Sequence, residues 1–170
     1  MTQDVLYVGS WNDLLMEPMA GEDGWLDEAD AQAHYESPDG VMVVDAAHRN
    51  ASGEPMPRWV LGFGASGVRA QFFDGHGTRW RRVDYDLIDD RLWRWITADH
   101  TYPDDSKRWA INEAVRSVTT TVKPDGSGFL KVVDSADPDS RPTRSTTELT
   151  SVAVDAFWLD RPAFGAWDKV

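Results

Sequence analysis

Hydrophobic and polar positions alternate with a period near two over most of the stretch from Trp59 to Val133, most clearly over residues 78–97, TRWRRVDYDLIDDRLWRWIT. Aromatic and β-branched residues alternate there with arginines and aspartates, and Asp89-Asp90 interrupts the run, as in an antiparallel hairpin. Its two faces are similar in character. Val83, Tyr85 and Leu87 take one side of the first strand and Trp80 the other, while Trp93 and Trp95 oppose Leu92 and Ile96. A hairpin apolar on both sides is expected to be covered on both sides.

The same reading extends in both directions. An apolar run at 5–11 predicts a first strand, and further strands are predicted over 40–46, 58–64 and 68–74. Asp74-Gly75-His76-Gly77 is a hairpin turn. Residues 107–123 read as one long or bulged strand, because SVTTTV is β-branched, although Trp109, Asn112, Glu113 and Arg116 also stand at helical spacings. The turn at 123–128 returns the chain into a strand over 128–134, and 143–159 reads as the last strand, with Val152, Val154, Ala156 and Trp158 on one face. Between the first strand and the meander lies a long segment, 12–39, punctuated by Pro18, Gly21, Gly24 and Pro38. Helix formers with early acidic residues predict one short helix at 27–35. The chain is therefore expected to be a single domain over 1–170, mainly all-β, with a loop and helix segment (12–39) lying over an antiparallel meander (40–159). That meander would close into a barrel or form a strongly curved sheet, because closure removes exposed edges. The tail, 160–170, is expected to lay Phe164 and Trp167 across the domain.

Composition narrows what such a domain can do. At 170 residues a self-supporting core is possible, and with no cysteine, disulfides, thiolate metal sites and cysteine nucleophiles are excluded. Twenty-nine acidic against 17 basic residues give a net charge of −12, which disfavours nucleic acid and anionic membrane surfaces as partners. Without a signal-like N-terminus or a long apolar run, a cytoplasmic, non-membrane protein is expected. Nine tryptophans are many for this length, and they suit a thick core, an interface such as a homodimer, or an aromatic pocket wall.

Gly9-Ser10-Trp11 at the end of the first strand, followed by a long loop and an antiparallel meander, resembles the lipocalin and wider calycin group, whose first strand carries a Gly-x-Trp. The resemblance implies a lipocalin-like barrel that binds a small apolar or amphipathic molecule inside. It also implies an arginine late in the barrel against that tryptophan, with Arg144 and Arg161 as the possible counterparts.

Motifs for specific chemistry are sparse. The histidines, His34, His48, His76 and His100, form no metal-ligand spacing, and Asp74-x-His76 belongs to a turn; no metal and no cofactor is expected. Gly62 to Gly67 spells Gly-x-Gly-x-x-Gly between two strands, where no helix N-terminus backs it. Gly64-Ala65-Ser66-Gly67-Val68 lacks the second glycine of a nucleophile elbow. Three readings remain. In the first, Trp80, Trp93, Trp95, Tyr85, Trp109 and Arg116 line an aromatic cavity for a small organic ligand. In the second, a buried carboxylate, Glu113 or Asp155, works with Tyr85 in acid–base chemistry, unless Glu113 and Arg116 pair with each other or with solvent. In the third, exposed tryptophans bury in a dimer or partner interface.

Overall fold

The computed structural model describes residues 4–19, 24–135 and 141–170. Its strands are β1 (Val5–Val8), β2 (Trp11–Asn12), β3 (Glu17–Pro18), β4 (Trp25–Leu26), β5 (Val41–Asp45), β6 (Trp59–Gly64), β7 (Gly67–Phe73), β8 (Arg79–Ile88), β9 (Arg91–Thr101), β10 (Arg116–Val122), β11 (Gly128–Asp134), β12 (Thr143–Leu149) and β13 (Trp158–Asp160). The α-helix α1 (Glu28–Glu36) lies between β4 and β5. Among the described residues, 11 strands form one sheet in the order β12-β11-β10-β9-β8-β7-β6-β5-β1-β4, with β13 added beside β9. Among the described residues the pairing path does not return from β12 to β4, and the fold is mainly β, one large antiparallel sheet with one α-helix.

Local chemistry accounts for the turns and caps. Asp89 and Asp90 both take positive φ, 47° and 63°, and join Ile88 to Arg91 directly, as a two-residue hairpin turn requires. Asp27 caps α1 by accepting from the Asp30 N–H at 2.9 Å, and Glu28 and Asp30 face the positive end of the helix. Gly40 enters β5 at φ 76°, where a Cβ would stand 2.2 Å from the Phe63 carbonyl oxygen, so only glycine fits.

The core has two layers, one on each face of β5 to β8. Alternation sends Val43, Leu61, Phe63, Ala70, Val83 and Tyr85 to one face, where Ala31 of α1 and Trp167 of the tail cover them. Val44, Val60 and Phe73 go to the other face, beneath Trp11 and the partly buried Met16 and Trp25. Strands covered on both sides carry few polar positions, and VMVVD of β5 follows that rule. Tail and helix are stitched together by aromatic contacts. Phe164 stacks on Tyr7 at 5.4 Å, Tyr35 meets Trp167 at 5.8 Å, and the Tyr35 hydroxyl donates to the Pro162 carbonyl.

Two elements differ from the sequence expectation. Residues 107–115 do not extend β10; they form a loop with a single 3-10 turn at Ile111–Glu113, because the Glu113 carboxylate accepts from the Ala110 N–H at 2.7 Å and caps that turn. The helical spacing and the β-branched run thus belong to two successive elements. The strand expected over 143–159 is likewise divided. β12 ends at Leu149, the Val152 N–H donates to the Gly126 carbonyl under the β10–β11 turn, and β13 then pairs with β9 instead. Val152, Val154, Ala156 and Trp158 therefore share no strand. The rerouting brings Phe157 and Trp158 onto Trp93, at 5.4 and 4.9 Å between ring centroids.

β9 consequently has two partners in series along one edge, β13 at Arg91–Trp93 and β10 at Ile96–Thr101. Trp93 joins them by donating its indole N–H to the Val122 carbonyl at 2.9 Å. Across β8 the register shifts between Asp84 and Tyr85, so that Trp95 lies between the two registers.

Candidate functional site

The loops at the Phe73 end of β7 converge on a cleft of about 450 Å³, built on the β7–β8 turn. Asp74 organises that turn by accepting from the N–H groups of His76 and Thr78, at 2.8 and 2.9 Å. Thr78 is buried, and its hydroxyl accepts from the Trp109 N–H at 3.1 Å, which anchors the 107–113 loop. Lys107 lies over the Trp109 ring at 3.9 Å, and the Trp109 indole donates to the Asp104 carbonyl at 2.9 Å. One wall of the cleft is thereby Trp109, Ala110, Ile111, Asn112 and Glu113.

The opposite wall comes from the segment between β2 and β3. Asn12 turns that chain by accepting from the N–H groups of Leu14 and Leu15, at 2.9 and 3.1 Å. Asp13 then reaches the sheet: its carboxylate accepts from Gln71 at 3.0 Å and from Arg79 at 2.7 Å, and Arg79 also donates to the Gln71 side-chain oxygen. Arg108 crosses the cleft to donate to the Asp13 carbonyl. Phe73 lies in the lining with Leu14, and the Arg79 Nε is buried with no hydrogen-bond partner among the described residues. The Tyr102 hydroxyl donates to the Arg79 carbonyl at 2.8 Å, and burial raises the pKa of that phenol. The apolar and aromatic lining is edged by two guanidiniums, Arg79 held by Asp13 and the exposed Arg108, and by the Asp13 and Glu113 carboxylates, which suits a small molecule with a ring or hydrocarbon body and a polar group.

Arg108 also borders a second cleft, of about 560 Å³, between Met16, Trp25, Met56 and His76. A third, of about 300 Å³, lies farther along β7 and β8. In it Asp84 is held by Arg69 at 2.7 Å and Arg82 at 3.1 Å, and the pKa of Asp86 is raised by burial and by the neighbouring Asp84 charge. Among the described residues, no group of three or more histidines and carboxylates could hold a metal ion.

The residues proposed from the sequence are dispersed by the fold. Trp109 lines the first cleft, and Trp95 and Tyr85 line the third. Trp93 is buried in solid core, whereas Trp80 is 40% exposed against Phe72. Tyr85 is buried in the helix-side core, and burial raises its pKa against the opposing pull of Arg94 and Arg81. Glu113 caps its turn and stands 3.8 Å from Lys107; Asp155 and Arg116 are exposed. Among the described residues, neither Glu113 nor Asp155 is a hydrogen-bond partner of Tyr85. Trp11 is buried beside Trp25 at 6.3 Å, while Arg161 lies over Tyr35 at 4.8 Å and Arg144 on β12. The sequence reading missed Asp13, Gln71, Arg79 and Arg108. Gln71 was the available signal, a lone amide in an apolar strand, but its partner Asp13 lies 58 positions away.

No family model, curated protein or solved structure matches this chain. Function therefore rests on the geometry alone. Among the described residues, no helix is long and apolar enough to cross a membrane.

Proposed function

We propose that the protein is a binding protein for a small amphipathic organic molecule, held in the cleft between Asp13-Leu14 and the 107–113 loop. The observation that carries this reading is the pairing of an apolar surface, Trp109, Phe73, Leu14 and Ile111, with the exposed Arg108 guanidinium and the Arg79–Asp13 pair around a volume of about 450 Å³. Sites for small ligands have that size and that mixture of apolar wall and few polar groups. An aromatic carboxylate fits the wall by stacking on Trp109 and the rim by charge at Arg108. A lipocalin-like barrel is not needed for this reading, because the cleft lies among loops at one end of the sheet.

Calorimetry and tryptophan fluorescence against a panel of aromatic and aliphatic carboxylates test the proposal. Saturable binding is expected for at least one aromatic acid, weakened about tenfold or more by Trp109→Ala and by Arg108→Ala, since base-like stacking and a charge-assisted hydrogen bond are each worth about 1–3 kcal/mol. Absence of saturable binding across the panel, or binding that ignores both substitutions, would sink it.

A further inference from the structure

We infer that β12 is a docking edge for a second copy of this chain, paired antiparallel about Thr146. The inference stands apart from the cleft and uses none of its residues. Among the described residues, the sheet ends at β12 on one side and β4 on the other, and the two edges are unequal. β4 is two residues long, too short to template another strand. β12 runs for seven residues and pairs with β11 along its whole length with no shift of register. Its sequence, TRSTTEL, has no proline, no lysine and no bulge, and its two charged residues, Arg144 and Glu148, are of opposite sign. One long edge therefore offers an unbroken row of backbone donors and acceptors.

The charges on that edge select the occupant. Arg144 and Glu148 point to the same face as Thr146, since side chains alternate. Within the chain they stand opposite Val133 and Phe129 of β11, so neither meets an opposite charge across the strand pair. Both are exposed, and among the described residues neither forms an ion pair or a side-chain hydrogen bond. When a second β12 is laid antiparallel with the two-fold axis at Thr146, Arg144 of each copy falls opposite Glu148 of the other. Two ion pairs form, and Ser145 meets Thr147 on the reverse face. A shift of one residue along the strand sets Arg144 opposite Thr147 or Leu149 and loses both pairs. Parallel pairing brings like charges alongside each other. The strand is thus self-complementary in a single register, which is the requirement of a two-fold symmetric interface. Only one strand edge is buried, so the dimer is expected to be weak, reversible and weakened by salt.

Sedimentation velocity of the full chain over a concentration series, at low and at physiological salt, is the test. The wild type is expected to pass from monomer to dimer as concentration rises, with weaker association at higher salt. Arg144→Glu and Glu148→Arg each replace two attractions by two repulsions and should weaken self-association about tenfold or more. Mixing the two variants in equal amounts restores both pairs, so the mixture should dimerise when neither variant does alone. Thr146→Cys adds the one thiol to a cysteine-free chain. It should form a disulfide-linked dimer on oxidation faster than Thr143→Cys, which sits three residues from the axis. All these positions are exposed, so folding is expected to be unaffected. A chain that stays monomeric while both cysteine variants cross-link at the same rate overturns the inference. So does association that ignores the charge reversals, a mixture that does not associate, or growth beyond a dimer.

Discussion

Strands β5 and β12 are both regular antiparallel strands of the same sheet, yet one is buried on both faces and the other on neither. β5 lies between the α1 and tail layer and the Trp11 layer, and four of its five residues are buried. Of the seven residues of β12, six are exposed and Leu149 is half-buried. β5 is paired along both edges, with β1 and β6, and β12 along one, with β11, so pairing separates them as well as cover. Cover differs too: two non-local segments supply it to the first half of the sheet, while every residue of β12 but Leu149 is exposed. Stability is expected to follow cover, because a net hydrogen bond contributes only about 1 kcal/mol while burial of a large side chain contributes more.

The largest expected effect comes from Trp93. It is 1% exposed, stacks with Phe157 and Trp158, and donates to Val122. Trp93→Ala should destabilise the protein by about 3–5 kcal/mol in urea or thermal unfolding. Phe129→Ala, an aromatic deletion on the exposed wing, should change it by less than about 1 kcal/mol. Equal losses at the two positions would break the comparison.

A smaller effect is expected at the junction of the two regions. His100 of β9 stands 2.9 Å from the Ser117 hydroxyl of β10. Burial lowers its pKa from the usual 6.5, the Arg79 and Arg82 charges lower it further, and Asp99 opposes them. The folded protein therefore binds this proton less readily than the unfolded chain. Stability from this residue is complete above pH about 7.5 and is lost as pH falls through the unfolded value near 6.5, levelling off below the folded value. Between pH 7.5 and 5.5 the wild type should lose more stability than His100→Asn, measured as the shift in urea midpoint. A larger loss in the variant would contradict this placement of His100. The smallest effect is expected on the exposed edge: Ser145→Ala and Thr147→Ala should each stay within about 0.5 kcal/mol of the wild type in dilute solution.

Much of this contrast was open to reading from the residues. The helix over 27–35, observed as Glu28–Glu36 behind the Asp27 cap, followed from acidic residues at its start and Ser37-Pro38 at its end. The Asp89-Asp90 turn and the meander from 40 to 134 followed from local alternation. Phe164 and Trp167 of the tail pack against Tyr7 and Tyr35. Cover, by contrast, is a long-range property. Trp11 ends the first predicted strand and Met16 comes from a segment with little strand pattern, and nothing local to Val44 or Val60 names them as its lid. The same applies to the cleft, whose Asp13 and Arg79 lie 66 positions apart. The end of β12 was missed because TSVAV reads as strand, while the chain leaves the sheet there to reach Gly126 and then Trp93. Tertiary contacts override local propensity at that point.

Amide hydrogen exchange at low protein concentration tests the difference between the two regions most directly. Amides of β5 and β6 that donate within the sheet should exchange only through global unfolding, with protection that tracks the unfolding free energy measured in urea. Those of β12 that donate to β11 should exchange through local opening, with protection lower by orders of magnitude and insensitive to Trp93→Ala. Equal protection of β5 and β12 would contradict the account, because it would mean that neither the cover over β5 nor its second paired edge makes it more stable than β12.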